Sequence, residues 1–194
     1  MNRYIADLHF GHQNILALDK RPFASLDEMH EALIDRWNGV VKPGDTTYIL
    51  GDFCWGKAPM WNELLPRLNG NKVLILGNHD LKEMKADLRR EFQDVKAYKE
   101  ITDGGRKVIL CHYPILFYKR DYSEKVYMLH GHIHMTSEEV MLEQFKRKVR
   151  LFTKENEGLG PKAQIYNVGC MMPYIDYAPR TLDEIIEGGD EYSN

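Results

Sequence analysis

YILGDF at residues 48–53 and LILGNHD at 74–80 are built alike: a short run of large apolar residues, one glycine, then side chains able to hold a metal. Each run reads as a buried strand, and the glycine lets the backbone turn sharply where the strand ends. Asp52 in the first stretch, and Asn78, His79 and Asp80 in the second, therefore emerge at strand ends, where open α/β sheets build their sites. The same reading extends to ADLHF (6–10), with Asp7 and His9, to LCHYP (110–114), with His112, and to HGHIH (130–134), with His132 and His134. Five of the eight histidines, His9, His79, His112, His132 and His134, are among these candidate donors, beside acids that add hard oxygen donors, so the combination predicts a metal centre.

Around these stretches the hydrophobic pattern places strands near 3–7, 46–50, 72–76, 95–101, 106–111, 125–130 and 164–169. Between several of them lie helical segments. Residues 25–37 open with a capping pair, Ser25 and Glu28, and carry Leu26, Met29, Leu33, Ile34 and Trp37 on one face. Further amphipathic stretches cover 58–68 and 81–92, so strand and helix alternate as in an α/β sandwich. The TDGGR turn at 102–106 suits a hairpin, which makes the sheet mixed. An extra helix is expected over 136–154, capped by Thr136 or Ser137, with Met141, Phe145, Val149 and Phe152 recurring at helical spacing. Its later half, Lys146, Arg147, Lys148 and Arg150, is basic. A short last helix is expected from Thr181 to the Gly188-Gly189 pair.

With 194 residues the chain supports one substantial core, and we read 1–194 as a single domain. Hydrophobic residues at 43% and charged residues at 28% are ordinary for a globular protein and unlike a disordered or membrane chain. A formal charge of -3 argues against broad charge-driven binding to nucleic acid. Cys54, Cys111 and Cys170 are odd in number and form no C-x-x-C pair, which points away from a disulfide framework or zinc knuckle and toward a reducing cytoplasm. No apolar run approaches the ~18 residues of a membrane span.

Asp7-x-His9 and His132-x-His134 each put two donors on one side of an extended strand end. Asp52 offers two oxygens on a short stem, and a carboxylate of that kind can bridge two cations at the ~3.5–4 Å typical of paired catalytic metals. D-x-H, GD, GNHD, a lone His and GHIH, in this order from residue 7 to 134, resemble the calcineurin-like metallophosphoesterase superfamily. The NVG at 167–169 and RTLDEI at 180–185 resemble the C-terminal part of its small microbial and phage members. The resemblance implies a four-layer αββα sandwich with mixed β-sheets, the calcineurin-like metallophosphoesterase fold. It implies one metal held by Asp7, His9, Asp52 and His134, and another by Asp52, Asn78, His112 and His132. Mixed imidazole, carboxylate and amide ligation favours two divalent transition metals over Ca or Mg without selecting among them; the resemblance implies Mn first, with Fe, Zn, Ni or Co as alternatives. The activity implied is phosphoester hydrolysis by a hydroxide bridging the metals, with His79 as general acid and Asp80 holding its ring.

A phosphodiester is the favoured substrate; a phosphomonoester, a protein or nucleotide phosphatase activity, or a non-catalytic metal-binding scaffold are the alternatives. His12, Arg21, Asn38, Tyr113, Tyr118 and Arg120 are candidates for substrate contact. His130 reads as a packing residue behind the ligands and His30 as a solvated one. The basic helix could cover the site, make a dimer contact or touch nucleic acid, its plainer reading being a solvated face.

Overall fold

The structure is a computed structural model and describes residues 1–80 and 86–193. Four strands, β1 (Asn2–Ile5), β2 (Thr46–Leu50), β3 (Asn71–Ile75) and β4 (Asp94–Lys96), form one sheet in that order, parallel throughout. A second sheet holds β5 (Tyr98–Asp103), β6 (Arg106–Cys111), β7 (Val126–His130) and β8 (Ile165–Asn167), again in chain order. The β5–β6 hairpin is antiparallel and the remaining pairs are parallel, so this second sheet is the mixed one. The helices are α1 (Ile15–Leu18), α2 (Leu26–Val40), α3 (Ala58–Leu64), α4 (Ala86–Arg89), α5 (Ser137–Glu155) and α6 (Leu182–Ser193), with a 3-10 turn at Leu65–Arg67.

Side-chain parity sets the layers. Val108 and Leu110 on β6 join Ile49, Leu50 and Leu74 of the first sheet in one core, together with Met29, Leu33 and Trp37 of α2 and Trp61 of α3. Ile109, pointing the other way from the same strand, packs with Met128, Ile165 and Leu142 of α5 in a second cluster. Alternate residues of one strand thus face the other sheet and a helix layer, which gives the helix-sheet-sheet-helix sandwich. The sheets meet where Ala6, just past β1, donates its amide to Val168 at 2.7 Å and accepts from Cys170 at 2.8 Å. That seam brings the C-terminal ends of strands from both sheets to one side.

Several expectations change on contact with the structure. The extended run 95–101 is two strands, with the chain leaving one sheet after Lys96 and entering the other at Tyr98. The expected helix 81–92 falls partly outside the described residues; Ala86–Arg89 is helical. The last helix runs through Gly188-Gly189 to Ser193. These glycines do not end it; a Cβ on Gly189 would lie 2.5 Å from the Tyr166 ring, so close packing accounts for its lack of a side chain.

The largest difference is in α5. The expected apolar stripe is not its buried face: Met141 and Phe152 are exposed and Phe145 and Val149 are half-buried. The buried side carries Glu139, Leu142, Lys146 and Thr153. These polar groups are buried because each finds a partner. Asn167 donates to Glu139 at 2.8 Å, Lys146 reaches Glu143 at 2.6 Å and Ser193 at 3.1 Å, and Thr153 donates to the Pro161 carbonyl at 2.7 Å. Lys146 is consequently not part of a basic surface. No helix among the described residues is long and apolar enough to cross a membrane.

Candidate metal centre

Every proposed ligand follows the C-terminal end of a parallel-paired strand: Asp7 and His9 after β1, Asp52 after β2, Asn78 after β3, His112 after β6, His132 and His134 after β7. Five of them sit in the left-handed backbone region: Asp7 (φ 56°), His9 (φ 52°), Asp52 (φ 53°), His132 (φ 73°) and His134 (φ 49°). Each such non-glycine residue costs about 1–3 kcal/mol, so the surrounding structure has to hold the strain. Interlocked backbone bonds do so: Asp7 donates to Gly51 and His9 to Asp52, both at 3.0 Å, and Gly131 donates to His112 at 2.9 Å. Gly51 must be glycine, since at φ 87° its Cβ would run into the His112 ring and lie 2.7 Å from the Gly77 Cα.

The turned side chains converge. His9 Nε2 and His134 Nε2 are 3.2 Å apart. Asp52 Oδ2 lies 3.8 Å from His9 Nε2 and 3.5 Å from His112 Nε2, between the two histidine groups. His112 Nε2 is also 3.0 Å from Asn78 Oδ1, and His134 Nε2 is 3.9 Å from Asp7 Oδ1. Asp7, His9 and His134 offer donor atoms within 4.8 Å of one another, and so do Asp7, Asp52 and His112. Asp7 is therefore common to both donor groups in this geometry. The His132 ring lies edge-on to His112 with centroids 5.0 Å apart, and its amide donates to Asp7 Oδ2 at 3.0 Å.

Two ligand imidazoles are aimed by groups behind them. His112 Nδ1–H donates to the Leu50 carbonyl at 2.8 Å, and His134 Nδ1–H donates to Asp19 Oδ1 at 2.7 Å. In both rings this turns Nε2 toward the site, as in metal-ligating histidines. Asp19, just past α1, carried no motif in the sequence. Its other oxygen accepts from Arg21 Nε at 3.0 Å and Nη2 at 2.9 Å.

Arg21 is buried and donates also to the carbonyls of Asp7 (2.8 Å) and Leu8 (2.8 Å), so it braces the first ligand loop from behind. Asn38 is likewise not at the site. Its side chain donates to the Arg67 carbonyl (2.8 Å) and accepts from the Asn69 amide (2.8 Å), which precede β3 at the opposite end of the sheet. Tyr118 is buried and donates to Gln164, and Arg120 lines a separate small cavity with Glu100 and Lys107.

Asp80 is buried and accepts amides from Asp52 (2.8 Å), Phe53 (3.0 Å) and Gly77 (2.8 Å). It ties the two ligand loops together, so the expected hold on the His79 ring is replaced by a hold on the backbone. His79 donates its amide to Asp52 Oδ1 at 3.0 Å, and its ring packs against Trp55 with centroids 4.2 Å apart. His12 stacks on the same indole at 4.1 Å, tilted 10°. Trp55 is 46% exposed, whereas Trp37 and Trp61 are core residues. Across the centre Tyr113, 47% exposed, lies 4.4 Å from His132. His130 is fully buried, its Nδ1 at the Gly131 carbonyl, and His30 accepts from the Gly11 amide instead of facing solvent alone. Asn167, from the NVG stretch, donates to the His134 carbonyl at 3.0 Å and so links β8 and α5 to a ligand loop.

Burial pushes the Asp7 carboxyl up to about 6 against the pull of His134 and His112, and burial likewise lifts Asp80 to about 6. Burial opposes charge on Asp52 too, but the His112 hydrogen bond and charge outweigh it and bring Asp52 down to about 2. His112 is the counterpart: against its burial, the hydrogen bond to Asp52 and the charges of Asp7 and Asp52 push it up to about 9. Burial lowers His9, with His134 adding to the effect. One cationic imidazole among carboxylates, and two Nε2 atoms facing each other, is the charge pattern that bound cations would satisfy.

The calcineurin-like phosphoesterase family model matches residues 4–168. The chain belongs to this family. It is 32% identical over 185 residues to an uncharacterized protein of Methanocaldococcus jannaschii, covering 94% of the chain and 88% of that protein. The Gene 66 protein of Mycobacterium phage L5 is 37% identical over 81 residues, covering 40% of this chain and 38% of the phage protein. A crystal structure of a protein of unknown function from Aquifex aeolicus superposes with TM-score 0.66 at 26% identity, covering 96% of this chain and 98% of that one. As a calcineurin-like phosphoesterase, the chain is a metal-dependent phosphoester hydrolase, and its clustered donors are the candidate metal ligands.

Proposed function

We propose that this calcineurin-like phosphoesterase is a dinuclear phosphodiesterase. The observation that carries the reading is Asp52 Oδ2, set between His9 Nε2 at 3.8 Å and His112 Nε2 at 3.5 Å, as a bridging carboxylate requires. Asp7, His9, Asp52 and His134 would hold one ion, and Asp52, Asn78, His112 and His132 the other, with Asp7 close to both. Two transition-metal ions, Mn first among them, supply when bound the Lewis-acid charge for the phosphoryl oxygens and make water acidic enough to attack.

The chain's own residues do the rest. The His79 imidazole, half-buried at the rim, gives a proton to the departing oxygen. Trp55 keeps that ring in place by packing against it, and His12 backs the indole. Asp80 fixes the loops that carry Asp52 and His79 through its three amide bonds. Asp19 and Arg21 fix His134 and the Asp7 loop. The preference for a diester rests on the two exposed rings at the rim, Trp55 and Tyr113. They give flat apolar surface to the second ester substituent, which a monoester lacks.

The test is hydrolysis of a chromogenic phosphodiester beside its monoester analogue, with chelated protein reloaded in turn with Mn, Zn, Ni and Mg. Faster diester turnover that is lost in Asp52→Asn is the expected result. Faster monoester turnover overturns the diester preference, and no turnover with any metal while two ions bind per chain favours a scaffold.

A further inference from the structure

Glu139 puts a carboxylate where helix α5 has no need of a second one. Glu138, beside it in the first turn and exposed, already suits the positive end of the helix. Glu139 is turned inward and buried, which is costly for a charge without a hydrogen-bonded partner. Its partner is Asn167 of β8, whose Nδ2 donates to Glu139 Oε2 at 2.8 Å. The same Nδ2 donates to the His134 carbonyl at 3.0 Å, and Oδ1 accepts the Gly169 amide at 2.9 Å. Asn167 is buried as well, and the Tyr174 hydroxyl donates to its backbone carbonyl at 2.6 Å. The side-chain amide has one orientation: turned over, it would set its oxygen against a carboxylate and a carbonyl, and its NH2 against an N–H.

Both arms of Asn167 end at the metal centre. His134 stands in left-handed backbone at φ 49°, a conformation that its surroundings have to hold. At its ring, Asp19 accepts from Nδ1 at 2.7 Å; at its backbone, Asn167 donates to the carbonyl. With both ends fixed, Nε2 is aimed at the site. Gly169, on the other arm, lies against Asp7, since a Cβ there would be 3.2 Å from Asp7 Oδ2. We propose that Asn167, its amide held by Glu139, is a positioning residue for metal binding: it aims His134 through the carbonyl and walls Asp7 through Gly169. This rests on the reading above, in which His134 and Asp7 hold one ion.

Titration calorimetry of Mn into the chelated full chain, with melting temperatures alongside, separates positioning from mere docking of α5. In Asn167→Asp both donated bonds are lost and two carboxylates meet, so the melting temperature should fall and Mn affinity should drop about tenfold. Adding Glu139→Gln remakes the link between β8 and α5 with donor and acceptor exchanged, but returns no N–H from position 167 to the His134 carbonyl. The double variant should therefore recover its melting temperature and keep the weak Mn affinity. Affinity that recovers together with the melting temperature overturns the proposal, because Asn167 would then serve the helix alone. Asn167→Ala, which adds no charge, is read by proton NMR of the metal-free protein. The His134 Nδ1–H signal should weaken through faster exchange with water, and an unchanged signal overturns the proposal whether or not the double variant regains its melting temperature. Wild-type Mn affinity that His134→Ala leaves unaltered contradicts the ligand assignment itself.

Discussion

Replacing Asp19 by asparagine keeps the size of the side chain but removes one acceptor from a carboxylate that serves two donors. In the wild type Oδ1 accepts from His134 at 2.7 Å and Oδ2 accepts from Arg21 at 2.9 and 3.0 Å. An asparagine has one oxygen for these two partners. The guanidinium keeps the Asp7 and Leu8 carbonyls, but its buried Nε–H has only Asp19 to bond, and leaving that donor unpaired costs about 1–3 kcal/mol, so the amide oxygen stays with Arg21 and the NH2 group turns to His134. His134 Nδ1 then has to accept, which puts the ring proton on Nε2, the atom that faces the ligands. Loss of such an orienting partner weakens metal binding by about 10–100-fold, or about 1.4–2.8 kcal/mol. Titration calorimetry of Mn into chelated Asp19→Asn against wild type reads this directly, with the melting temperature of the metal-free proteins as a check on folding. Affinity within twofold of wild type in a folded variant would refute the role given to Asp19.

Trp55→Ala should cost about tenfold in kcat for diesters with poor leaving groups and little for good ones, with Trp55→Phe restoring most of the loss, because only the former need the His79 proton. An equal loss across leaving groups contradicts the placement of Trp55. Gly51→Ala should destabilise the protein by about 2–5 kcal/mol and abolish metal binding, since a left-handed alanine there meets the His112 ring; chemical denaturation measures it, and wild-type stability speaks against the packing. Above pH 6.5 the metal-free protein should lose stability as pH rises, because His112, raised to about 9, gives up its stabilising proton from pH 6.5 to 9. The His112 shift alone is worth about 3 kcal/mol. Melting temperatures with and without Mn should therefore diverge toward pH 9; parallel curves would count against the proton-for-metal exchange.

The ligand loops were legible because a local rule governs them: a buried strand ends and the donor follows, with a glycine just before it at Asp52, Asn78 and His132. Spacing alone placed Asp7, His9, Asp52, Asn78, His112, His132 and His134 at one end of the sheets. What was illegible depends on partners distant in the chain. Asp19 gains its role from His134, 115 residues away. Asp80 could be read as an orienter of its neighbour His79, yet its bonds go to Asp52, Phe53 and Gly77. Helix α5 was recognised by its period, but the side that is buried is decided by Asn167, Ser193 and Tyr166, and a hydrophobic pattern has no access to them. Asn38 looked available for a phosphate only because its partners, Arg67 and Asn69, come from the next unit.

The central claim is a pair of ions bridged by Asp52, and anomalous diffraction from a crystal of the chain soaked in Mn tests it most directly. The account predicts two peaks about 3.5–4 Å apart with an Asp52 oxygen between them, His9 and His134 on one, Asn78, His112 and His132 on the other. A single peak at full occupancy, or two that leave Asp52 uncoordinated, would contradict it.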